Sequence, residues 1–333
     1  MGFMPREFSK RFGRRVSAYA GYIRPFLRTR RNLRVIAKSE VRRILGSSKQ
    51  HSKSRKEIII SAGVIGSPLL LMRSGVGPRD VLDEAQVPIV KELPVGKGIH
   101  DHVVISLTFV INNKSLVFDP DRDLNPGTLQ IYNAFGDEQG NVKIWKICMN
   151  FSIGPYSTSG GYVGQAMLAS SVTQNEGKPT WPDTMLYPVQ SASAPAVVRP
   201  AEGIAMADWE TPVFCGIVLT RPKSRGTLTL NATNVDGDPV IDFNFLSHPQ
   251  DIQVLLEGIQ TALKIYEETP AYKRLEARLA PIEMPACDNL EYRSEEFWSV
   301  FIRQRGNSFL HAVGTCRMGR GQSDPDAVVD SRL

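Results

Sequence analysis

The sequence predicts an α/β unit and an α+β unit within one chain. The isoleucine-rich stretch "KEIIISAG" (residues 56–63) is typical of a strand buried on both faces, and a helix signal follows it at once. From about Val103, apolar and polar residues alternate between turn signals, which predicts a mainly antiparallel sheet. A helical apolar pattern over residues 248–269 is expected to cover that sheet.

The composition limits the classes of protein to consider. The chain has 333 residues, of which 42% are hydrophobic and 22% charged, and these ordinary globular fractions exclude a disordered chain. No uninterrupted apolar run approaches the roughly 20 residues that a membrane span needs. The four cysteines contain no CxxC pair, so neither a zinc site nor a dense disulfide scaffold is predicted. They are Cys148, Cys215, Cys287 and Cys316.

Positive charge is concentrated near the start of the chain. Residues 1–60 contain 17 Lys and Arg against 3 Asp and Glu, although the whole chain carries only +6. Such a segment is compatible with contact to an anionic membrane or with a transit peptide. It is also compatible with a basic interaction module, or with a solvated face that supports an anionic cofactor. No nucleic-acid module surrounds its aromatic residues, so no nucleic-acid partner is predicted. The sequons at Asn113, Asn150 and Asn231 scarcely exceed chance and leave the compartment open.

The first elements along the chain follow from local signals. Asn32–Leu45 has apolar spacings that suit one or two strands, and the strand at residues 56–63 follows a polar loop. Ser67 and Pro68 suit the N-cap and first position of a short helix that Gly75 ends. A strand that turns into a helix N-terminus presents backbone N–H groups to phosphate, but no G-x-G-x-x-G fingerprint occurs anywhere in the chain.

The second sheet is predicted from alternating segments at residues 102–113, 142–154 and 213–245, with a turn at "NVDGDP". The helix that follows spaces its apolar residues at helical intervals, so one face should lie on the sheet. These residues are Ile252, Leu255, Leu256, Ile259, Leu263 and Tyr266.

His311, in "SFLHAVGTCRMG", is the candidate base, because an imidazole exchanges protons near neutral pH. The alternative is a packed, hydrogen-bonded histidine. In "HDH" (residues 100–102) two histidines have a strand-like spacing for a metal, but no further histidine or cysteine pair completes a site. Asp101 is therefore expected to accept hydrogen bonds from backbone donors in a loop, and His248, before a proline, is expected to be structural.

Four stretches together resemble the glucose-methanol-choline (GMC) oxidoreductases, flavin enzymes that oxidise alcohols, and the insect-type members most of all. "KEIIISAGVIGSPLLLMRSGVGP" is similar to the second signature of the family, and "LPVGKGIHDH" to the segment after it, although His100 stands where the family usually has Gln. Residues 224–263 are similar to the substrate-domain core, and residues 307–333 to the stretch with the catalytic histidine.

The resemblance implies an incomplete FAD-binding, Rossmann-like domain and a substrate domain built on a mainly antiparallel sheet covered by helices. The expected divisions are a partial FAD-binding domain at 1–102, a substrate-binding domain at 103–302 and a return segment at 303–333. The implied reaction is oxidation of a small-molecule alcohol at its CH–OH group by hydride transfer to FAD, with oxygen or another electron acceptor. His311 is the implied base, and no metal is expected. The implied cofactor-binding residues are Val41, Ser61, Ala62, Gly63, Ser67 and Pro68.

The absent fingerprint, and the position of His311 close to Leu333, predict a central fragment of a longer family member. The alternative function is a non-catalytic truncated remnant that binds no flavin. Resemblance to insect-type members is compatible with a secreted protein.

Overall fold

The computed structural model describes residues 2–5, 7, 9–11, 14–45, 56–124, 126, 164–192, 206–320 and 323–333. The strand predicted at 142–154 lies outside the described residues, as do Cys148 and the sequon at Asn150. The chain forms two compact units that interleave along the sequence. The large unit comprises residues 1–36, 104–220 and 252–307, and the small unit comprises residues 37–103, 221–251 and 308–333.

The strands are listed first, in chain order. They are β1 (Gly2–Pro5), β2 (Lys10–Arg11), β3 (Arg14–Arg15), β4 (Val76–Gly77), β5 (Lys91–Glu92), β6 (Lys97–Ile99), β7 (Val103–Ile111), β8 (Gly164–Leu168), β9 (Thr184–Val189), β10 (Thr211–Leu219), β11 (Gly226–Thr229), β12 (Val240–Asp242), β13 (Arg278–Leu279) and β14 (Asn307–Ser308).

The α-helices are α1 (Gly63–Arg73), α2 (Arg79–Glu84), α3 (Pro120–Asp123), α4 (Ser171–Asn175), α5 (Pro249–Leu263), α6 (Pro270–Lys273) and α7 (Glu295–Arg305). Short 3₁₀ or π turns lie between several of them. Within the described ranges, no helix combines the length and apolar character needed to cross a membrane.

The large unit is built on the predicted antiparallel sheet. Its strands follow the order β1, β8, β9, β10, β7, β13, and antiparallel pairing joins β1 to β8, β8 to β9, β9 to β10, and β7 to β13. β7 and β10 are buried along nearly their whole length. Both faces of these central strands are therefore covered, which confirms the sheet with helices upon it.

Helix α5 lies against this sheet as its apolar pattern predicts. Leu255 and Ile259 are fully buried. A Cβ added at Gly258 would lie 2.5 Å from the Ile217 side chain of β10, so the absence of a side chain permits this close approach. The Tyr266 ring, just beyond the helix, stacks on Phe109 of β7 at 4.0 Å between centroids.

The small unit has a smaller sheet and its own core. Strands β12, β11 and β6 form an antiparallel sheet, and β4 pairs with β5 in parallel. Buried residues from α1, α2, β6, β11 and the loops beside them form one apolar cluster. Residues 221–251, which the sequence assigned to the substrate domain, lie in this unit together with residues 37–103.

Two predicted strands are wrong. Residues 57–62 belong to no strand, and Ile58 and Ile59 are 59% and 78% exposed. Residues 32–45 are likewise without strand pairing. Within the described residues, neither segment has a neighbouring strand to share its backbone hydrogen bonds, and a strand exists only in a pair. Helix α1 also begins at Gly63, four residues before the predicted N-cap Ser67.

Candidate active site

A bulge in a pair of antiparallel segments exposes His311. His100 and Val313 exchange two backbone hydrogen bonds of 3.0 and 2.9 Å, and the Phe309 N–H donates to the His102 carbonyl at 2.9 Å. Between these pairings one residue, Asp101, lies opposite three, Leu310–Ala312. The surplus residues bow outwards, and Leu310 and His311 are exposed. Bulges of this kind turn side chains away from the pairing, which leaves the imidazole accessible at the surface.

Asp101 holds the bulge in place. The carboxylate is 2% exposed. Its Oδ1 accepts from the His311 backbone N–H at 2.9 Å, and its Oδ2 accepts from the Ser308 hydroxyl. The Ser308 Oγ in turn accepts from the N–H of Leu310, which has a positive φ of 61°. The prediction that Asp101 serves backbone donors is confirmed.

The His311 ring has two neighbouring rings within the small unit. Its Nδ1 lies 3.2 Å from the Nδ1 of His102, with the rings edge to face at 75°. The Phe309 ring lies 4.6 Å away, centroid to centroid, at an angle of 73°. Its polar contact with His102 is therefore made through Nδ1 and not through Nε2.

The segment after His311 is bound to the first turns of α1. Pro68 lies inside α1 and has no N–H, so the carbonyl of Val64, four residues earlier, has no donor from the helix. The buried Thr315 hydroxyl donates to that carbonyl at 2.7 Å. This contact satisfies the acceptor that the proline leaves, and it places the His311 segment beside the N-terminal turns of α1.

The predicted cofactor residues Ser61–Pro68 lie around the start of α1. The N-cap, Ala62, supplies no side-chain cap, and the first turn contains no acidic residue. Ser67 Oγ accepts from the Ala62 N–H at 3.1 Å. Gly63 has a φ of 81° and open space where a side chain would be. Such a turn offers backbone N–H groups to an anionic ligand.

Exposed apolar side chains flank the same turn and His311. Ile65 of the first turn is 43% exposed, and Val313 is 52% exposed. Ile58 and Ile59, just before the turn in sequence, are also exposed. The turn therefore combines backbone N–H groups that lack a side-chain cap with exposed apolar side chains nearby in sequence.

Val41, the predicted adenine contact, lies in a segment bound to the other end of α1. The Arg43 guanidinium donates to the Arg73 carbonyl at 2.7 Å, and the Ile44 N–H donates to Ser74 Oγ at 2.9 Å. Val41 itself is 66% exposed. Since α1 has 11 residues, its axis is about 16 Å long. The segments that contain the predicted cofactor residues thus lie near both ends of α1.

The other histidine of "HDH" has a different environment. His100 Nδ1 lies 2.9 Å from the Gly98 carbonyl oxygen, and partial burial lowers the pKa of His100 below its ordinary value. Gly314 faces it with a φ of 101°, where a Cβ would lie 2.4 Å from the Gly98 carbonyl oxygen. The described ranges contain no group of three or more His, Cys, Asp or Glu side chains able to hold a metal.

The sequence predicts His311 as the candidate base and Asp101 as an acceptor for backbone donors, but it does not predict the contact between His102 and His311. His102 was considered only as a metal ligand paired with His100. In the structure, His100 Nδ1 instead lies beside the Gly98 carbonyl oxygen, and His102 Nδ1 lies beside His311 Nδ1. An alternating His-x-His pattern shows that two imidazoles are near each other, but it contains nothing about a histidine 209 residues away.

The sequence of the chain is similar to those of known proteins. N- and C-terminal models of the family described as GMC oxidoreductase match residues 1–104 and 222–333. Glucose dehydrogenase [FAD, quinone] of Drosophila melanogaster is 30% identical over 100% of this chain and 51% of its own length. Alcohol dehydrogenase [acceptor] of Pseudomonas putida is 29% identical over 83% of this chain and 44% of its own.

The fold is also similar to that of a solved structure. Pyridoxine 4-oxidase from Mesorbium loti superposes with a TM-score of 0.67 at 23% identity, covering 100% of this chain and 57% of that one. The chain spans about half the length of the curated relatives it matches, at 51% for both glucose dehydrogenases.

Proposed function

The chain belongs to the GMC oxidoreductase family, and from that membership we propose that it serves FAD-dependent oxidation of CH–OH groups, with His311 as the base. The names of its relatives include a glucose dehydrogenase with FAD and an alcohol dehydrogenase. The observation that carries the proposal is the bulge at residues 310–312, which exposes an imidazole in the unit that holds the candidate cofactor residues.

The residues present fit FAD. The N-terminal turn of α1, which has no side-chain cap, supports contact with an anionic group of the cofactor, and exposed apolar side chains such as Ile65 support contact with its flavin ring. Ser61, Ala62, Gly63, Ser67 and Pro68 form or adjoin that turn, and Val41 is the proposed adenine contact. Bound FAD would supply the hydride acceptor.

His311 would act on the substrate hydroxyl. As the carbinol carbon loses a hydride, its hydroxyl loses a proton, and a neutral imidazole within hydrogen-bond reach accepts it. Asp101 holds the backbone of His311, and the Thr315 hydroxyl links the same segment to Val64 of α1. A primary or secondary alcohol would leave as the aldehyde or ketone, and an electron acceptor would reoxidise the cofactor.

The proposal is tested on the full-length gene product, purified with FAD present. We expect flavin absorbance that survives gel filtration, and reduction of an acceptor dye that depends on added alcohol or sugar. A panel of primary alcohols, secondary alcohols and aldoses defines the donor class. Protein without flavin would contradict the proposal and support the non-catalytic alternative. Flavin without donor-dependent dye reduction across the panel would contradict the alcohol chemistry.

A further inference from the structure

The 3.2 Å contact between the Nδ1 atoms of His102 and His311 constrains where the protons lie. A hydrogen bond between two imidazole nitrogens needs a hydrogen on one and a lone pair on the other. The edge-to-face angle of 75° brings a ring edge of one toward the other rather than stacking them. Whichever nitrogen donates, the contact therefore selects one tautomer of each neutral ring.

We propose that His102 is a positioning residue that fixes the tautomer of His311, with the hydrogen on His311 Nδ1 and the lone pair on Nε2. The catalytic consequence rests on the proposed function, because a base must present a lone pair to the hydroxyl proton. In the opposite tautomer Nε2 carries the hydrogen and cannot accept a second one. His102 accepts at its Nδ1, so its own hydrogen lies on Nε2.

The neighbouring carboxylate does not serve this purpose. Both Asp101 oxygens are engaged, one with the His311 backbone N–H and the other with the Ser308 hydroxyl. Asp101 thus fixes the backbone, and the His102 imidazole is the partner that the structure gives to ring nitrogen Nδ1 of His311. The Phe309 ring also packs against the imidazole, at 4.6 Å between centroids and an angle of 73°.

The tautomer is tested without reference to turnover. Long-range ¹H–¹⁵N spectra of the protein labelled at its five histidines distinguish Nδ1–H from Nε2–H rings, and the His311→Gln variant assigns His311 by its lost signals. We expect the Nδ1–H form for neutral His311, and a mixture or the Nε2–H form in His102→Leu. An Nε2–H ring in the wild type would overturn the proposal, as would an unchanged His311 tautomer in His102→Leu.

Steady-state kinetics test whether the contact between His102 and His311 affects turnover. His102→Leu should lower kcat by about 10- to 100-fold with little change in KM, the scale of loss when a catalytic group is misaligned. His102→Asn, whose amide oxygen can accept in place of Nδ1, should recover most of that loss. His100→Gln is the matched control from the same stretch, and it should leave kcat within about 2-fold because His100 Nδ1 faces Gly98.

Equal losses in the Leu and Asn variants would show a packing role and overturn the proposal, as would a wild-type kcat in His102→Leu. The NMR spectra test the tautomer of His311, and the kinetics test its effect on turnover. A wild type without turnover but with an Nδ1–H His311 would reject the proposed function and leave the tautomer inference standing.

Discussion

At the scale of single residues, Asp101 is the side chain on which the position of His311 depends most directly. Its carboxylate is buried and accepts from a backbone N–H and a hydroxyl of the bulged segment. Hydrogen bonds to a charged group contribute about 1.5–3 kcal/mol each, and donors left without acceptors add to the loss. The residue is thus both a structural support and a determinant of geometry at the candidate base.

We predict that Asp101→Ala lowers the free energy of unfolding by about 2–5 kcal/mol. Asp101→Asn, which keeps one acceptor oxygen, should lose less. Urea denaturation measures both. Asp236→Ala is the control, because Asp236 is 60% exposed and lies 3.7 Å from Arg42, also exposed, so a change within about 0.5 kcal/mol is expected. Similar losses for Asp101→Ala and Asp236→Ala would refute the supporting role.

At the scale of elements, the start of α1 shows how a tertiary contact overrides a local signal. Ser67 and Pro68 have the composition of a helix start, and the sequence predicts the N-cap there. The helix nevertheless begins at Gly63, because Thr315 satisfies the carbonyl that Pro68 leaves without a donor. No local pattern contains a hydroxyl that lies 251 residues further along.

The paired segments around residues 98 and 314 yield an element-scale prediction. At Gly314 an added Cβ meets a positive φ of 101° and the Gly98 carbonyl oxygen at 2.4 Å. Gly314→Ala should therefore destabilise the protein by about 2–5 kcal/mol, combining backbone strain with overpacking. Gly177 is the matched control, since its φ is 71° and nothing lies within 4 Å.

Gly177→Ala should cost only the strain, about 1–2 kcal/mol. Urea denaturation midpoints of the two variants give the comparison. If Gly314→Ala is no more destabilising than Gly177→Ala, the backbones at Gly98 and Gly314 do not approach as closely as 2.4 Å between an added Cβ and the carbonyl oxygen requires.

At the scale of the whole molecule, the sequence predicts those elements that follow from the local spacing of apolar residues. The antiparallel sheet and α5 were predicted because alternation and helical spacing are local properties. The strand predicted at residues 56–63 does not form, because a strand needs a second segment to pair with and the local pattern contains no information about that segment. The interleaving of residues 221–251 with residues 37–103 is likewise a property of the fold and not of either segment.

At the candidate site, too, the sequence predicts single residues but not a contact between distant segments. His311 and Asp101 were predicted, one from its chemistry and its resemblance to a family motif, the other from a carboxylate in a loop. The contact between His102 and His311 was not, because it joins segments 209 residues apart. Tertiary structure, more than residue type, determines which imidazole carries a hydrogen and which accepts one.

The most direct test is the rate of anaerobic flavin reduction by a donor alcohol in the full-length wild type and in His311→Gln. We predict a rate about 10²- to 10⁴-fold lower in the variant, the usual contribution of a general base, with an unchanged flavin spectrum. His248→Gln is the control, since His248 is exposed and its Nδ1 accepts from the Gln250 N–H at 3.3 Å, and it should reduce flavin at the wild-type rate. A wild-type rate in His311→Gln would contradict the assignment of His311 as the base, and loss of flavin from that variant would show that His311 serves packing or cofactor binding instead.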